Sequence, residues 1–387
     1  MSGQPPKVLH INTARTWRGG EQQMVYLMRG MLNRGLPASA VCRRCGAAAE
    51  RAREIGADVW EVPMRGELDL AAAFTIARLA RERGFNILHA HTAHAHSLGT
   101  IAKNVFQAGV RLVVHRRIEF YPGRGALGLG WLKYHCGVDA YVTVSESLRE
   151  IMIDAGIPPD MVFTVRSVTD VERFMGTDAN PDLRSELGIP EDALVIGNVG
   201  YLVPHKDHEN LLEAVAIVRK EGYDPWVVIV GSGPLREDIE RRAEELGLND
   251  RLVLTGFRDD VPQLIKMFDL FALSSSEEGI CSTLFEVMAC ETPIVASNPA
   301  GVAEAVLDGE TGILVPIKDS AALARGILKM LNAPDRAREY ADKALERVRK
   351  NFTVDRLTEK TLEVYDRVLE SGSCRNILPQ KQKTRQN

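Results

Sequence analysis

Two glutamates, Glu278 and Glu286, stand eight positions apart in "SSSEEGICSTLFEVMACETPIVAS", residues 274–297, among small, apolar and hydroxyl side chains. Paired carboxylates can work as acid and base at one bond, or can accept hydrogen bonds from two ends of one polyhydroxylated ligand. The local pattern separates these uses. "LFALSS" reads as a strand, "SEEGICS" as a loop and "TLFEVMAC" as a helix, which puts Glu278 in the loop and Glu286 in about the first helical turn. They share no face, whereas the carboxylates of a retaining glycosidase sit ~5 Å apart across one bond. Thr283 with Glu286 also fits T-x-x-E, a capping box, although that leaves Glu278 without a duty. The helix start carries about half a positive charge on free N–H groups, so an anion fits between the two acceptors. A sugar phosphate has that shape.

Other residue groups invite chemistry less specifically. "HAHTAHAH" gathers His89, His91, His94 and His96 across a strand end and a helix start, a spacing open to metal ligation or to a polar lining. Cys42 and Cys45 form one CxxC with no second pair to complete a zinc site, and read as reduced thiols near a strand end. "GSGP" from Gly231 would need glycine at 236 to complete a dinucleotide fingerprint, and Arg236 stands there, which argues against a dehydrogenase.

These residues need elements to hold them. At 387 residues and 45% hydrophobic content the chain exceeds one ordinary core, so two domains are expected. Short β-branched runs alternate with amphipathic stretches: "VLHINT", "SAVC", "ILHAH", "RLVVH", "AYVTV" and "MVFTV", then "LVIGNVG", "WVVIVG", "RLVLTG", "LFALSS", "PIVAS" and "GILVP". That is the signature of βαβ units and two doubly wound parallel sheets. The polar stretch 176–193 between the series reads as a linker. The expected division is an N-terminal domain 1–177, a C-terminal domain 178–354, a helix 355–372 packing back on the first domain, and a disordered tail 373–387. Ligands of open α/β sheets bind beyond the carboxyl ends of the strands, so two facing sheets would form a cleft. The formal net charge is -4, yet residues 1–175 hold 22 Lys/Arg against 16 Asp/Glu. Dispersed surface charge accounts for this, and so would an anionic partner. "MSGQPPKVLHINT" lacks a signal-peptide core and no run reaches ~18 apolar residues, so a cytoplasmic protein is expected.

In these motifs the chain resembles the retaining, nucleotide-sugar-dependent glycosyltransferases of family four, whose GT-B fold has two Rossmann-like domains. Glu278 to Glu286 matches their E-x7-E signature. "GNVGYLVPHKDHENLLEA", "VIVGSGPLREDIE", "LTGFRDDVPQL" and "ACETPIVASNPAGVAEAVLDGETGILVP" match their phosphate loop, the next strand, the segment beside the base and the end of the domain. The match covers 190–350 closely and 7–175 more loosely.

The resemblance implies roles. Glu278 would bond the donor sugar's hydroxyls and Glu286 the ribose. The backbone through Gly279, Ile280, Cys281, Thr283 and Leu284 would hold sugar and diphosphate, with Gly20, Tyr201, Gly231 and Arg258 on the donor side. Lys206 would neutralise the leaving diphosphate, more strongly in a dry site than in water. Such enzymes need no metal, and nothing here resembles a metal-binding D-x-D, so no cofactor or metal is expected. "WRGGEQQ" is similar to the family's glycine loop, with Glu21 facing an acceptor hydroxyl or offsetting the helix dipole. The histidine cluster then reads as an acceptor-side lining through His91 and His94. In "LVVHRRIEF", His115 or Arg117 takes the place of a histidine that contacts donor, and Arg116 and Arg117 supply cations. Tyr201 stands where the family usually has Arg, and Glu291 where glycine is usual.

The function this implies is transfer from a nucleotide sugar to a glycan or lipid-linked acceptor, in cell-envelope polysaccharide or lipopolysaccharide synthesis. A sugar-nucleotide epimerase and a non-enzymatic sugar-binding protein are the alternatives. "FYPGRGALGLGWLKYHCG" suits a mobile acceptor loop or a peripheral contact with the cytoplasmic membrane face; no nucleic-acid partner is expected. Changing Glu278 to Ala is expected to abolish transfer with little loss of stability.

Overall fold

The structure is a computed structural model describing residues 5–117, 133–134 and 136–371. It divides into two compact units, one ending at Val165 and resuming at Leu357, the other Arg166–Arg356.

The first unit is built on a parallel sheet ordered β3-β2-β1-β4-β5-β6-β7: β1 Val8–Asn12, β2 Ser39–Arg43, β3 Asp58–Val62, β4 Ile87–Ala90, β5 Arg111–Arg116, β6 Ala140–Thr143 and β7 Val162–Thr164. Parallel strands buried on both faces explain the nearly continuous apolar runs of β1 and β4. Successive side chains alternate between faces. Leu9, Ile11, Leu88, Ala90, Leu112 and Val114 meet the helices Leu70–Arg83 and Ala93–Asn104 in one core. That alternation puts His10, His89 and His115 on the opposite face. Asp69 and Thr92 open the two helices by accepting from the N–H groups of Ala72 (3.0 Å) and Ala95 (3.1 Å). β3, absent from the sequence reading, is an edge strand whose Asp58 and Glu61 break the apolar run.

The second unit repeats the plan with the parallel order β10-β9-β8-β11-β12-β13: β8 Val195–Val199, β9 Trp226–Val230, β10 Leu252–Gly256, β11 Leu270–Leu273, β12 Ile294–Ser297 and β13 Ile313–Val315. All six coincide with the apolar runs of the second series. The helices His208–Lys220 and Ser320–Leu331 close one side of the core through Leu211, Val215, Leu323 and Ile327.

The division falls before the expected boundary at 177. Residues beyond Val165 belong to the second unit because its groups hold them: Lys266 donates to the carbonyls of Met175 and Thr177 (2.9 and 2.6 Å). The stretch 176–193 is not a free linker either. It contains the helix Asp182–Glu186, with Leu183 fully buried and Arg184 donating to the Ala193 carbonyl at 2.6 Å. The helix Val354–Glu370 carries Tyr365 onto the histidine face of the first unit. Residues 373–387 and most of "FYPGRGALGLGWLKYHCG" lie outside the described residues.

Candidate active site

In each sheet the strand order reverses once, between β1 and β4 in the first and between β8 and β11 in the second. The loops leaving two such neighbouring strands diverge and open a ligand crevice at their carboxyl ends.

At the second unit's reversal, the turn Pro204–Lys206 follows β8 and the loop bearing Glu278 follows β11. Lys206 Nζ lies 2.6 Å from Glu278 Oε1, which also accepts from Ser275 Oγ at 2.9 Å. The pair is mostly buried, with side chains 15% and 11% exposed. Burial works against the Lys206 ammonium, but Cys281 and Glu278 outweigh it and its pKa is raised. The Cys281 thiol is pushed up to about 11, chiefly by burial, so at neutral pH the Glu278 carboxylate is the effective partner.

Backbone contacts fix the two loops. A Cβ on Gly231 (φ 146°) would lie 1.9 Å from the Gly200 carbonyl oxygen, so the loops after β8 and β9 pack main chain to main chain. A Cβ on Gly301 would lie 2.0 Å from the Gly279 carbonyl oxygen and 2.8 Å from that of Glu278, so the loop after β12 buttresses the glutamate loop in the same way. Gly231 thus serves packing directly.

Sequence expectations need correction here. The helix is Ser282–Ala289 with Cys281 at its N-cap and no side-chain cap, so Thr283 caps nothing and no capping box forms. Glu286 lies in the second turn and is buried. Leu284 is fully buried, and its N–H already donates to the Cys281 carbonyl (3.1 Å), which leaves the turn before it as the open end. Ile280 is buried, Thr283 and Tyr201 half-buried. Arg258 is held by Asp260 (2.7 and 2.6 Å) and Glu186 (2.6 Å), so it reaches a ligand only by giving up those partners.

The first unit's reversal gathers polar groups more densely. Thr13 and Thr92, just past β1 and β4, share a 2.6 Å hydrogen bond. Arg117, just past β5, donates to the His91 carbonyl at 2.8 Å and to His91 Nδ1 at 2.9 Å. A guanidinium only donates, so His91 must carry its proton on Nε2 and give it to His10 Nδ1, 2.9 Å away. The His89 ring lies tilted against that of His91, with centroids 4.1 Å apart, and its Nδ1 meets the Tyr365 hydroxyl at 2.6 Å. Burial pushes His10 down to about 3 and His89, His91 and His115 well below their usual value, with Arg117 adding to the shift. All four imidazoles are neutral at pH 7. Burial also lowers Arg117, to about 10, and it remains the cation of this edge. Asn12 donates to the buried Glu21 at 3.3 Å, and the Arg117 side chain passes 3.5 Å from where a Gly20 Cβ would stand.

Two expectations move. His115 is buried within β5, stacked parallel on His89, and does not reach the strand end that Arg117 occupies. Arg116 points to the other face, over the Tyr134 ring, and supplies no cation beside Arg117. His94 is exposed, 3.6 Å from Glu67. His10 and Tyr365 were missed; a histidine inside the apolar run "VLHIN" was the available signal. His10, His89 and His91 lie close enough to hold a metal. The hydrogen bond already joining His10 to His91 and the guanidinium alongside disfavour one. Replacing Tyr365 with Phe strips a buried imidazole of its partner and is expected to cost about 1–3 kcal/mol in urea unfolding of the first unit. An unchanged midpoint would show that water replaces the hydroxyl.

The family profile for glycosyl transferases group 1 matches residues 179–347, and that for glycosyltransferase family 4 matches 17–173. Together they span most of the chain, which belongs to these glycosyltransferases. It is 26% identical over 360 residues to the lipopolysaccharide core biosynthesis glycosyltransferase LpsE of Rhizobium meliloti (strain 1021), covering 92% of this chain and 98% of that one. It is 26% identical to the UDP-Gal:alpha-D-GlcNAc-diphosphoundecaprenol alpha-1,3-galactosyltransferase of Escherichia coli, covering 68% and 70%. The crystal structure of Anabaena Alr3699/HepE with UDP and glucose superposes with a TM-score of 0.81 at 21% identity, covering 94% of this chain and 100% of that one. The fold is therefore GT-B. Among the described residues no helix is long and apolar enough to cross a membrane.

Proposed function

We propose that this chain moves a sugar from a nucleotide-sugar donor held by the second unit to a hydroxyl of a glycan or lipid-linked acceptor held by the first, in lipopolysaccharide or other envelope polysaccharide synthesis. The observation that carries the reading is the Lys206–Glu278–Ser275 constellation at the strand-order reversal. Lys206 is a fixed cation at the carboxyl edge of β8, placed to offset charge growing on a departing diphosphate. Glu278 is an acceptor for sugar hydroxyls that, until donor arrives, is occupied by Lys206. Donor binding exchanges that internal bond for a phosphate on the lysine and a hydroxyl on the carboxylate.

Glu286 accepts from the ribose in this reading, and the backbone from Gly279 to Thr283 cradles diphosphate and sugar. Transfer proceeds with retention and without a metal ion, the leaving diphosphate taking the acceptor proton on the same face of the sugar. Arg117, rather than His115, is the first unit's cation, aligned by His91. Glu21 and His91 line the acceptor side.

A thermal-shift panel of UDP-, GDP-, ADP- and TDP-sugars tests the reading: one base class is expected to raise the melting temperature. Glu286→Gln is then expected to weaken that nucleotide about 10-fold or more, the loss of one charged hydrogen bond. Absence of any shift across the panel removes the assignment. An isomerised donor formed without acceptor would point to the epimerase.

A further inference from the structure

β1 carries an imidazole where an apolar side chain would pack more simply. His10 is fully buried, and its Nδ1 lies 2.9 Å from His91 Nε2. The bond from Arg117 to His91 Nδ1 puts the His91 proton on Nε2, so His10 Nδ1 is the acceptor and the proton of its own neutral ring sits on Nε2. That nitrogen is buried with no hydrogen-bond partner among the described residues. A stranded donor is destabilising, and a leucine at the same position would strand nothing. Folding alone therefore does not explain the histidine; an acceptor aimed at His91 does.

That acceptor decides what His91 can hold. A neutral imidazole has one N–H and one lone pair. With the N–H taken by His10, the lone pair faces Arg117 Nη2 at 2.9 Å, while Nη1 donates to the His91 carbonyl at 2.8 Å. Without an acceptor at residue 10, either the Nε2 proton is stranded or the ring turns to find a partner and releases the guanidinium. The two bonds to His91 leave the Arg117 Nε–H buried and without a partner among the described residues. Glycine at residue 20 gives this side chain its room, since a Cβ there would stand 3.5 Å from Arg117 Cδ and 3.9 Å from Nε. A charged donor left open past the end of β5 is placed to meet a substrate oxygen.

We propose that His10 is a positioning residue: by accepting from His91 it fixes the tautomer that holds Arg117, and so sets the direction in which that cation meets substrate. The proposal rests on the reading of Arg117 as the first unit's substrate-facing cation, and extends the machinery to a residue that touches no substrate.

Two readouts on the full chain test it. In protein labelled with 15N-histidine, long-range proton–nitrogen correlations report the tautomer of His91, whose signals are assigned by their loss in His91→Gln. The parent is expected to carry the His91 proton on Nε2, and His10→Leu to lose that single form. A parent with the proton on His91 Nδ1 overturns the proposal whatever the variants do. The second readout is nucleotide release from UDP-, GDP-, ADP- and TDP-glucose, using whichever the parent turns over. His10→Leu is expected to lower kcat about 10-fold or more and to move KM less than about threefold, because the second unit holds the donor. His10→Asn, whose side-chain oxygen stands where the imidazole Nδ1 did, is expected to recover most of the rate. In an Arg117→Ala background His10→Leu is expected to cause no further loss, because it acts through the arginine. Equal losses in the two backgrounds, or an Asn variant as slow as the Leu variant, would show a packing role and overturn the proposal. If the parent releases nucleotide from none of the four, the enzymatic reading fails, and the tautomer spectra still decide the link from His10 to Arg117.

Discussion

Glu278→Ala is expected to abolish sugar transfer and also to destabilise the second unit by about 3 kcal/mol, because removing one member of a buried ion pair strands the other. The second effect corrects the sequence-based expectation of nearly unchanged stability, which placed Glu278 in a loop without its lysine. Lys206 Nζ has the Glu278 carboxylate at 2.6 Å and only 15% of its side chain exposed, so a lone ammonium there is poorly solvated. The double variant Lys206→Met/Glu278→Leu is expected to recover most of the stability and none of the activity. That contrast separates holding the loop from binding the sugar. Unfolding midpoints and transfer assays on the three proteins measure both. If Glu278→Ala transfers sugar at the parent rate, the role assigned to Glu278 is wrong, and an unchanged midpoint would mean the pair adds nothing to folding.

Mild acid is expected to unfold the first unit well before the second. The five buried histidines among its described residues, His10, His89, His91, His96 and His115, all have lowered pKa values in the folded state, with His10 and His96 at about 3. Burial is the main cause; Arg117 presses on the four clustered rings, and Lys133 and Arg116 on His96. The unfolded chain takes up protons near pH 6.5 and the folded unit does not, so stability is full above that value and drains as pH falls below it. By pH 5.5 His10 and His96, each at about 3, remove about 1.4 kcal/mol apiece, and the three rings held well below their usual value add to that loss. The second unit has one such group, His208, at about 4, and loses about 1.4 kcal/mol. Tryptophan fluorescence and proton uptake on unfolding between pH 7 and 5 check this. Simultaneous melting of both units, or uptake of a single proton, would show that some imidazoles are already solvated.

The sequence carried the alternating strands and helices plainly, because parallel sheets buried on both faces leave unbroken apolar runs. It carried Glu278 and Lys206 too, because each stands just past such a run. Their pairing was not legible: residues 72 positions apart meet only because β8 and β11 are neighbours at the strand-order reversal. Alternation along β5 keeps His115 with the imidazoles and turns Arg116 to the other face, over the Tyr134 ring. Consecutive residues of β5 point to opposite faces, so at most one could join the imidazole stack. Tyr365 was beyond reach for another reason, since an amphipathic helix announces a buried face without naming what it covers.

In the proposed reading, the close approach of Gly301 to the carbonyls of residues 278 and 279 limits how such an enzyme can change its donor. The glutamate loop rests on a main-chain surface that tolerates no added atom, so it can neither slide nor be rebuilt without rebuilding its neighbour. On that reading, new sugar preferences arise by exchanging side chains on a frame that stays still, at positions such as Ile280, Cys281 and Thr283. Relatives with different donors should superpose closely in this loop and differ in those residues.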